Sequence, residues 1–177
     1  MHLVTTREAI QLTGLSTATL REWTSRRALI PADVPPKSQG SPARYGWQTI
    51  LLLRLAVTLR DRFHLELQAH RGLFTDLKSG LARTSFIALW GNALVLQGGD
   101  RWSLLDEGDP ASLHEDGIVI RLQAHLEALS RGFSFPGPMS PPGQLELFPA
   151  QAVDAAPPRM LKTVRAHPLV AERRKSA

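Results

Sequence analysis

Hydroxyl, carboxylate and guanidinium side chains crowd residues 16–27, in the segment STATLREWTSRR. If this segment is helical, Leu20 and Trp23 lie on one side and the polar groups remain on the other. Groups of these types form hydrogen bonds and ion pairs with phosphates and base edges. The residues that we expect to make such contacts are Ser16, Thr17, Thr19, Arg21, Glu22, Ser25, Arg26 and Arg27.

A short helix must precede this segment to position it. Thr5 and Glu8 have the spacing of a capping box, which predicts a helix that ends near Thr13. Gly14 suits the left-handed position after a helix end, and Ser16 can cap the second helix. The sequence therefore predicts a helix-turn-helix, whose second helix fits the major groove of DNA.

Two short helices joined by a glycine are also a common corner of helical bundles, so this pattern alone leaves a structural role open. The next segment favours nucleic-acid binding. PADVPPKSQGSPARYG, residues 31–46, is rich in Pro, Gly and Ser, and we expect an exposed loop or hairpin. Its Lys37, Arg44 and Tyr45 would contact the DNA backbone. Apolar residues at 47–62 and 65–81 predict two further helices that supply the core.

Charge is distributed unevenly along the chain. The formal net charge is +5 and the sequence pI is about 10.4, which favours a polyanionic partner. Residues 1–80 have a net charge of +5, residues 81–131 of −3 and residues 132–177 of +3. We therefore expect the first segment, aided by the tail, to meet DNA, and the middle segment to serve protein contacts or the core.

Several protein classes are excluded or disfavoured by composition. The chain has no cysteine, which excludes disulfides and thiolate metal sites and suits a reducing cytoplasm. The longest apolar run, residues 50–59, contains Arg54 and is too short to span a membrane. The start, MHLVTTREAI, lacks the basic and apolar regions of an export signal. We expect a bacterial, cytoplasmic and nucleoid-associated protein that does not bind membranes.

The order of motifs resembles the winged helix-turn-helix domain of the MerR superfamily over roughly residues 3–80. The resemblance rests on TREAIQLTGLSTATLREWTSRRALIP followed by ARYGWQTILLLRLAVTLRDRFHLELQ, with the T-G-L-S turn, T-L-R-E-W helix, L-I-P exit and R-Y pair. It implies a recognition helix over 17–27 with Arg21 on the DNA. It also implies a wing whose Arg44 and Tyr45 contact phosphates, and a homodimer on a palindromic site.

The chain departs from that family in several places. Glu22 stands where members often have an aromatic residue, and neither Arg27 nor Ala28 is the glycine often found there. A long terminal dimerisation coil is missing, and the cysteines of metal- and redox-sensing members are absent. We therefore do not expect this protein to activate transcription by untwisting promoter DNA. Excisionases and other mobile-element proteins have the same winged domain, so an architectural role on DNA is open as well.

The middle segment does not match the family's usual coil. SFIALWGNALVLQGGDRWSLLDE has apolar runs separated by Gly91-Asn92 and Gly98-Gly99-Asp100, which predict an antiparallel meander. A strand at 118–120 and a helix from about Leu122, ending at Gly132, follow. This module would serve dimerisation or effector sensing, or merely stabilise the first domain.

Candidate catalytic groups do not form a recognisable site. His114, Glu115 and Asp116 cluster in an expected loop, and the six-residue spacing of His64 and His70 does not place both on one helix face. We interpret them as solvated surface residues. No enzyme activity, cofactor or metal is expected.

The Pro-rich tail contains the pentapeptide QLELF. It resembles the binding motif for the bacterial sliding clamp, in which Leu145, Leu147 and Phe148 would enter an apolar pocket and Gln144 would bind at its rim. The alternative is that these residues dock onto the same chain. The basic residues after Arg159 would add non-specific attraction to DNA.

Together these features predict an α+β protein with three parts. Residues 1–82 form a winged helix-turn-helix domain, 83–132 a small strand-rich module with a helix, and 133–177 a mostly disordered tail. The expected function is that of a dimeric, sequence-specific transcriptional regulator that binds double-stranded DNA as a repressor or autoregulator. The alternative is a replication, partition or mobile-element accessory protein that also recruits the sliding clamp.

Overall fold

The computed structural model describes residues 2–38, 41–98, 100–107 and 116–135 of the 177-residue chain. They form a mixed α and β structure, as predicted. The helices are α1 (Thr6–Thr13), α2 (Thr17–Arg21), α3 (Trp47–Phe63), α4 (Arg71–Leu81) and α5 (Gln123–Phe133). The strands are β1 (Val4–Thr5), β2 (Arg44–Tyr45), β3 (Asn92–Gln97), β4 (Arg101–Asp106) and β5 (Gly117–Arg121). A π-helical turn (Glu22–Arg26) continues α2, and 3-10 turns occupy Leu67–His70 and Ile87–Leu89.

Helix α3 lies at the centre of the core. It is apolar on almost every side, and a helix of this kind is stable only when other elements surround it. Helices α1, α4 and α5 all pack against it. The apolar α3 residues that are at most 1% exposed are Ile50, Leu51, Leu52, Leu53, Leu55, Ala56 and Leu59.

The apolar core is continuous from Val4 to Phe133. Two glycines allow close packing between the first part of the chain and the rest: a Cβ on Gly80 of α4 would lie 2.3 Å from the Trp102 ring, and one on Gly132 of α5 would lie 2.5 Å from a methyl carbon of Leu12. The boundary that we place after residue 82 stays a prediction. Residues 136–177 of the expected tail, including QLELF, lie outside the described part of the chain.

The sheet differs from the predicted meander. Strand β3 pairs antiparallel with β4 on one side and with β5 on the other, so the order is β4-β3-β5. The first expected strand is instead the 3-10 turn Ile87–Leu89. There Phe86 and Leu89 are buried while Ile87 is 66% exposed, and Phe86 packs edge-on against Trp47 and Trp90. This aromatic packing favours a turn over a strand.

The helices of the second half lie close to their predicted positions. Strand β5 and helix α5 confirm the expected strand at 118–120 and the helix after Leu122, with small differences in their bounds.

The single helix expected over 65–81 is wrong at its start. Helix α3 ends at a left-handed His64, and the Glu66 side chain accepts a hydrogen bond from the Gln68 amide, which begins the 3-10 turn before α4.

Candidate nucleic-acid interface

The start of α1 has the predicted capping box. The Thr5 amide donates to Oε2 of Glu8 over 2.7 Å, and the Glu8 amide donates to Oγ1 of Thr5 over 3.4 Å. The Thr5 hydroxyl also donates to Oε2 of Glu8 over 2.9 Å, and the two hydrogen bonds that this carboxylate accepts from Thr5 lower its pKa. The cap fixes where α1 begins.

The turn between α1 and α2 is also as predicted. Gly14 has a φ of 72°, and its amide donates to the Ile10 carbonyl over 2.9 Å. The Thr13 hydroxyl donates to the Ala9 carbonyl over 2.7 Å. At the other end of the turn, the Thr19 amide donates to Oγ of Ser16 over 3.1 Å. Local hydrogen bonds therefore set the angle at which α2 leaves α1.

The predicted recognition helix is a composite of two helix types. Helix α2 covers Thr17–Arg21 and continues into the π-helical turn, which the Arg27 amide closes by donating to the Glu22 carbonyl over 2.8 Å. Leu20 and Trp23 face the core at 0% and 7% exposure, as expected. Because a π turn holds more residues than an α turn, Ser25 and Arg26 are rotated relative to their positions in a regular α-helix.

Ion pairs distinguish the three arginines of this helix. Glu22 accepts from Nε of Arg27 over 2.5 Å and lies 4.0 Å from Nη1 of Arg26. Arg21 is exposed and has no ion pair or side-chain hydrogen bond with any residue that the structure describes. Its guanidinium is therefore the one in α2 and the π turn whose donors are all open to a partner.

A wing formed by residues 31–38 and 41–45 lies beside the recognition helix. Strand β2 pairs with β1, with Tyr45 opposite Val4, and Arg44 also exchanges two backbone hydrogen bonds with Val34. The Asp33 carboxylate accepts from the Gly46 amide over 2.6 Å and lies 3.5 Å from Nζ of Lys78. The base of the wing is thus tied to both the N-terminal strand and α4.

The recognition helix and the wing enclose a groove of about 470 Å³. Arg21, Ser25 and Arg26 form its helical side. A second hollow of about 380 Å³ lies along the outer face of α2 and also contains Arg21 and Arg26. The remaining residues of the first groove are Thr6, Pro36, Ser38, Ser41, Pro42, Ala43 and Tyr45, and those of the second are Ala18, Thr19 and Glu22.

This arrangement agrees with the comparison to known families. The model of the MerR HTH family of regulatory proteins matches residues 4–76. These residues form a MerR-type helix-turn-helix domain. The matched range contains β1, both short helices, the wing, α3 and the first part of α4, and it ends before the sheet of the second half. No curated protein matches the chain.

Within the MerR-type domain, the predicted contact residues fall into two groups. Those in the grooves are Thr19, Arg21, Glu22, Ser25, Arg26 and Tyr45. Ser16 caps α2, whereas Thr17, Arg27, Lys37 and Arg44 are exposed but line neither groove. Tyr45 lines the first groove but is only 2% exposed, so its burial argues against the predicted phosphate contact.

Three hydroxyl residues of the first groove, Thr6, Ser38 and Ser41, are not among the contacts predicted from the sequence. Thr6 is the first residue of α1, and the pairing of β1 with β2 brings it next to the wing. The sequence shows the helix start after Thr5 and the R-Y pair at 44–45, and both bear on the position of Thr6. It does not show that β1 pairs with β2, because these strands are about 40 residues apart.

Ala28 has the backbone conformation that the family's glycine predicts. Its φ is 47°, in the left-handed region that a residue with a Cβ occupies at a cost. This residue ends the recognition helix and turns the chain toward Leu29 and Ile30, which are buried. The departure from the family at this position is therefore one of residue type and not of geometry.

Of the histidine and carboxylate candidates, the three that the structure describes, His64, His70 and Asp116, line neither groove. His64 is exposed, and Nδ1 of His70 lies 2.5 Å from Oδ1 of Asp100. Asp116 is exposed, while His114 and Glu115 lie outside the described residues. Within the described ranges, no three His, Asp or Glu side chains are grouped to bind a metal, and no helix is long and apolar enough to cross a membrane.

Proposed function

We propose that the protein is a sequence-specific transcriptional regulator that binds double-stranded DNA through its MerR-type domain. The observation that carries this proposal is the position of Arg21. Its guanidinium is exposed on the outer face of α2, lies in both grooves and has no ion pair within the described structure. An arginine with open donors is the side chain that most often reads guanine in the major groove.

The residues around Arg21 suit the DNA backbone. The hydroxyls of Thr6, Ser25, Ser38 and Ser41 share its groove, and Arg44 lies exposed in β2. Hydroxyl and guanidinium groups commonly bind phosphate oxygens and so set the register of a protein on the duplex. In this proposal, α2 enters the major groove and the wing contacts the adjacent backbone.

We further propose that the protein binds as a homodimer and acts as a repressor or autoregulator in the bacterial cytoplasm. One short recognition helix reads a single half-site, and a second copy doubles the number of bases read. The module of residues 83–132 would provide the dimer contact. The absence of cysteine argues against a thiol-based sensing role.

Selection of bound fragments from genomic DNA, followed by fluorescence anisotropy with the full chain, tests this proposal. We expect a preferred palindromic site whose affinity falls steeply between 50 and 200 mM salt, by about 10³-fold or more if six phosphates are contacted. Equal binding to all fragments would contradict sequence-specific regulation. No binding to any duplex at low salt would overturn DNA binding altogether.

The alternative proposal is a replication or mobile-element accessory protein that recruits the sliding clamp, and it rests on QLELF at 144–148. Binding of the full chain and of a peptide of residues 140–152 to an immobilised bacterial clamp tests it. Replacement of Leu147 and Phe148 by Ala should abolish both interactions. Lack of binding by the unchanged chain would remove this alternative and leave the regulator proposal intact.

A further inference from the structure

A third cavity, separate from the two grooves, is lined by basic groups. It has a volume of about 490 Å³ and lies between α3, β5 and the first turn of α5. Arg54 and Arg62 of α3, Arg121 of β5 and His125 of α5 all line it. None of its described lining residues is a carboxylate.

The basic groups of this cavity are incompletely partnered. Nη1 of Arg54 donates to the Leu12 carbonyl, but Nε of Arg54 and Nδ1 of His125 are buried without a hydrogen-bond partner. Arg62 and Arg121 form no ion pair with any described residue. Buried polar atoms without partners are costly, so a ligand that supplies acceptors would stabilise this arrangement.

Electrostatics point the same way. Burial, together with the charges of Arg54 and Arg62, lowers the pKa of His125 to about 4. Burial and the charge of Arg131 also lower the pKa of Arg54. Because the guanidinium groups of Arg54, Arg62 and Arg121 carry like charges, an anion placed among them would be attracted by all three.

Apart from Thr58, the remaining walls of the cavity are apolar. Phe63 and Val119 line it and are 42% and 41% exposed, which is high for large apolar side chains. Ala124 and Ile120 also belong to this apolar side. A concave site with an apolar wall and a few convergent charged groups is typical of small-molecule binding.

We propose that this cavity binds a small organic anion, a carboxylate or phosphate ester that carries an aromatic or aliphatic group. Arg54, Arg62 and Arg121 contact the charged group, and Phe63 and Val119 cover the apolar one. Helix α5 contributes the positive end of its dipole, since Leu122 provides no side-chain cap for its first turn. This site lies outside the two grooves of the MerR-type domain, and its occupancy is measurable without DNA.

Calorimetric titration of the full chain at constant ionic strength tests the proposal, with benzoate as the probe. We expect saturable binding of benzoate, weaker binding of inorganic phosphate and no binding of neutral benzamide. The double variant R62Q/R121Q should bind benzoate at least about tenfold more weakly, which corresponds to about 1.4 kcal/mol. The matched control R71Q/R83Q removes the same charge from exposed residues outside the cavity and should bind as the unchanged chain does.

The proposal would be overturned if the unchanged chain did not bind benzoate, or if R62Q/R121Q bound it as well as the control does. If the lack of benzoate binding came with a loss of DNA affinity in R62Q/R121Q relative to the control, the arginines would contact DNA phosphates instead. An independent measurement on the unchanged chain is the NMR titration of His125, whose pKa should rise when benzoate is bound and stay constant with benzamide.

Discussion

The guanidinium of Arg60 lies over the indole ring of Trp23, with its central carbon 5.0 Å from the ring centroid. Arg60 belongs to the central helix α3, and Trp23 belongs to the π turn that completes the recognition helix. This cation–π contact therefore ties the DNA-facing element to the core. Arg60 also donates to Oδ1 of the adjacent Asp61 over 2.6 Å.

Replacement of Arg60 by Gln should reduce the free energy of unfolding by about 0.5–1 kcal/mol, the range of a cation–π contact at a partly exposed site. Urea denaturation followed by tryptophan fluorescence measures this loss. Arg60→Lys should retain part of the stability because it keeps the charge. Asp61→Asn serves as the control, since it leaves the ring contact in place. A loss in that variant as large as in R60Q would assign the effect to the ion pair instead.

Arg21 and Arg44 should affect DNA binding differently. Arg21→Ala should weaken binding to the preferred site by about 1–3 kcal/mol and relax base preference there, because a base contact is lost. Arg44→Ala should weaken binding to all duplexes alike and reduce the salt slope by about 1, as expected for one phosphate contact. Anisotropy titrations on preferred and scrambled duplexes distinguish these outcomes. Equal losses in R21A on both duplexes would contradict its base-reading role.

Two substitutions, one that introduces glycine and one that removes it, test the cost of a left-handed backbone at Ala28 and Gly14. Ala28→Gly should stabilise the fold by about 1 kcal/mol, because its φ of 47° is strained for a residue with a Cβ. Gly14→Ala should destabilise by about the same amount, although no atom lies within 4 Å of the added Cβ. Denaturation midpoints measure both changes. A stability loss in A28G would mean that the methyl group of Ala28 contributes more through packing than its backbone strain costs.

His125 should make stability depend on pH. Its pKa is about 4 in the folded chain and about 6.5 when unfolded, so the unfolded state binds more protons between these values. Stability should therefore fall as pH is lowered from 6.5 to 4, by about 2–3 kcal/mol from this residue. Urea denaturation across that range, compared between the unchanged chain and His125→Gln, isolates the contribution. Parallel pH profiles for the two proteins would contradict the shifted pKa.

The features that sequence predicted correctly depend on residues that are close along the chain. Thr5 with Glu8, Gly14 and Ser16 each act on a neighbouring backbone group, so spacing alone defines the helix-turn-helix. The burial of Leu20 and Trp23 likewise follows from helical periodicity.

The features that sequence missed depend on contacts between distant residues. The order of the sheet depends on β5 pairing with β3 and not with β4. The 3-10 turn at Ile87 depends on the packing of Phe86 against Trp47. The position of Thr6 in the groove requires the pairing of β1 with β2. The π turn is local, but no residue in EWTSR distinguishes it from an α turn.

Glu22 places a negative charge on the surface that we propose faces DNA. Its carboxylate repels the phosphates of any DNA sequence and holds Arg27 in an ion pair. It therefore weakens non-specific binding to DNA. A carboxylate is at the same time an acceptor for the amino group of cytosine. A carboxylate at this position would therefore shorten the time spent on the vast excess of competing sites and leave more molecules free to search for the correct one.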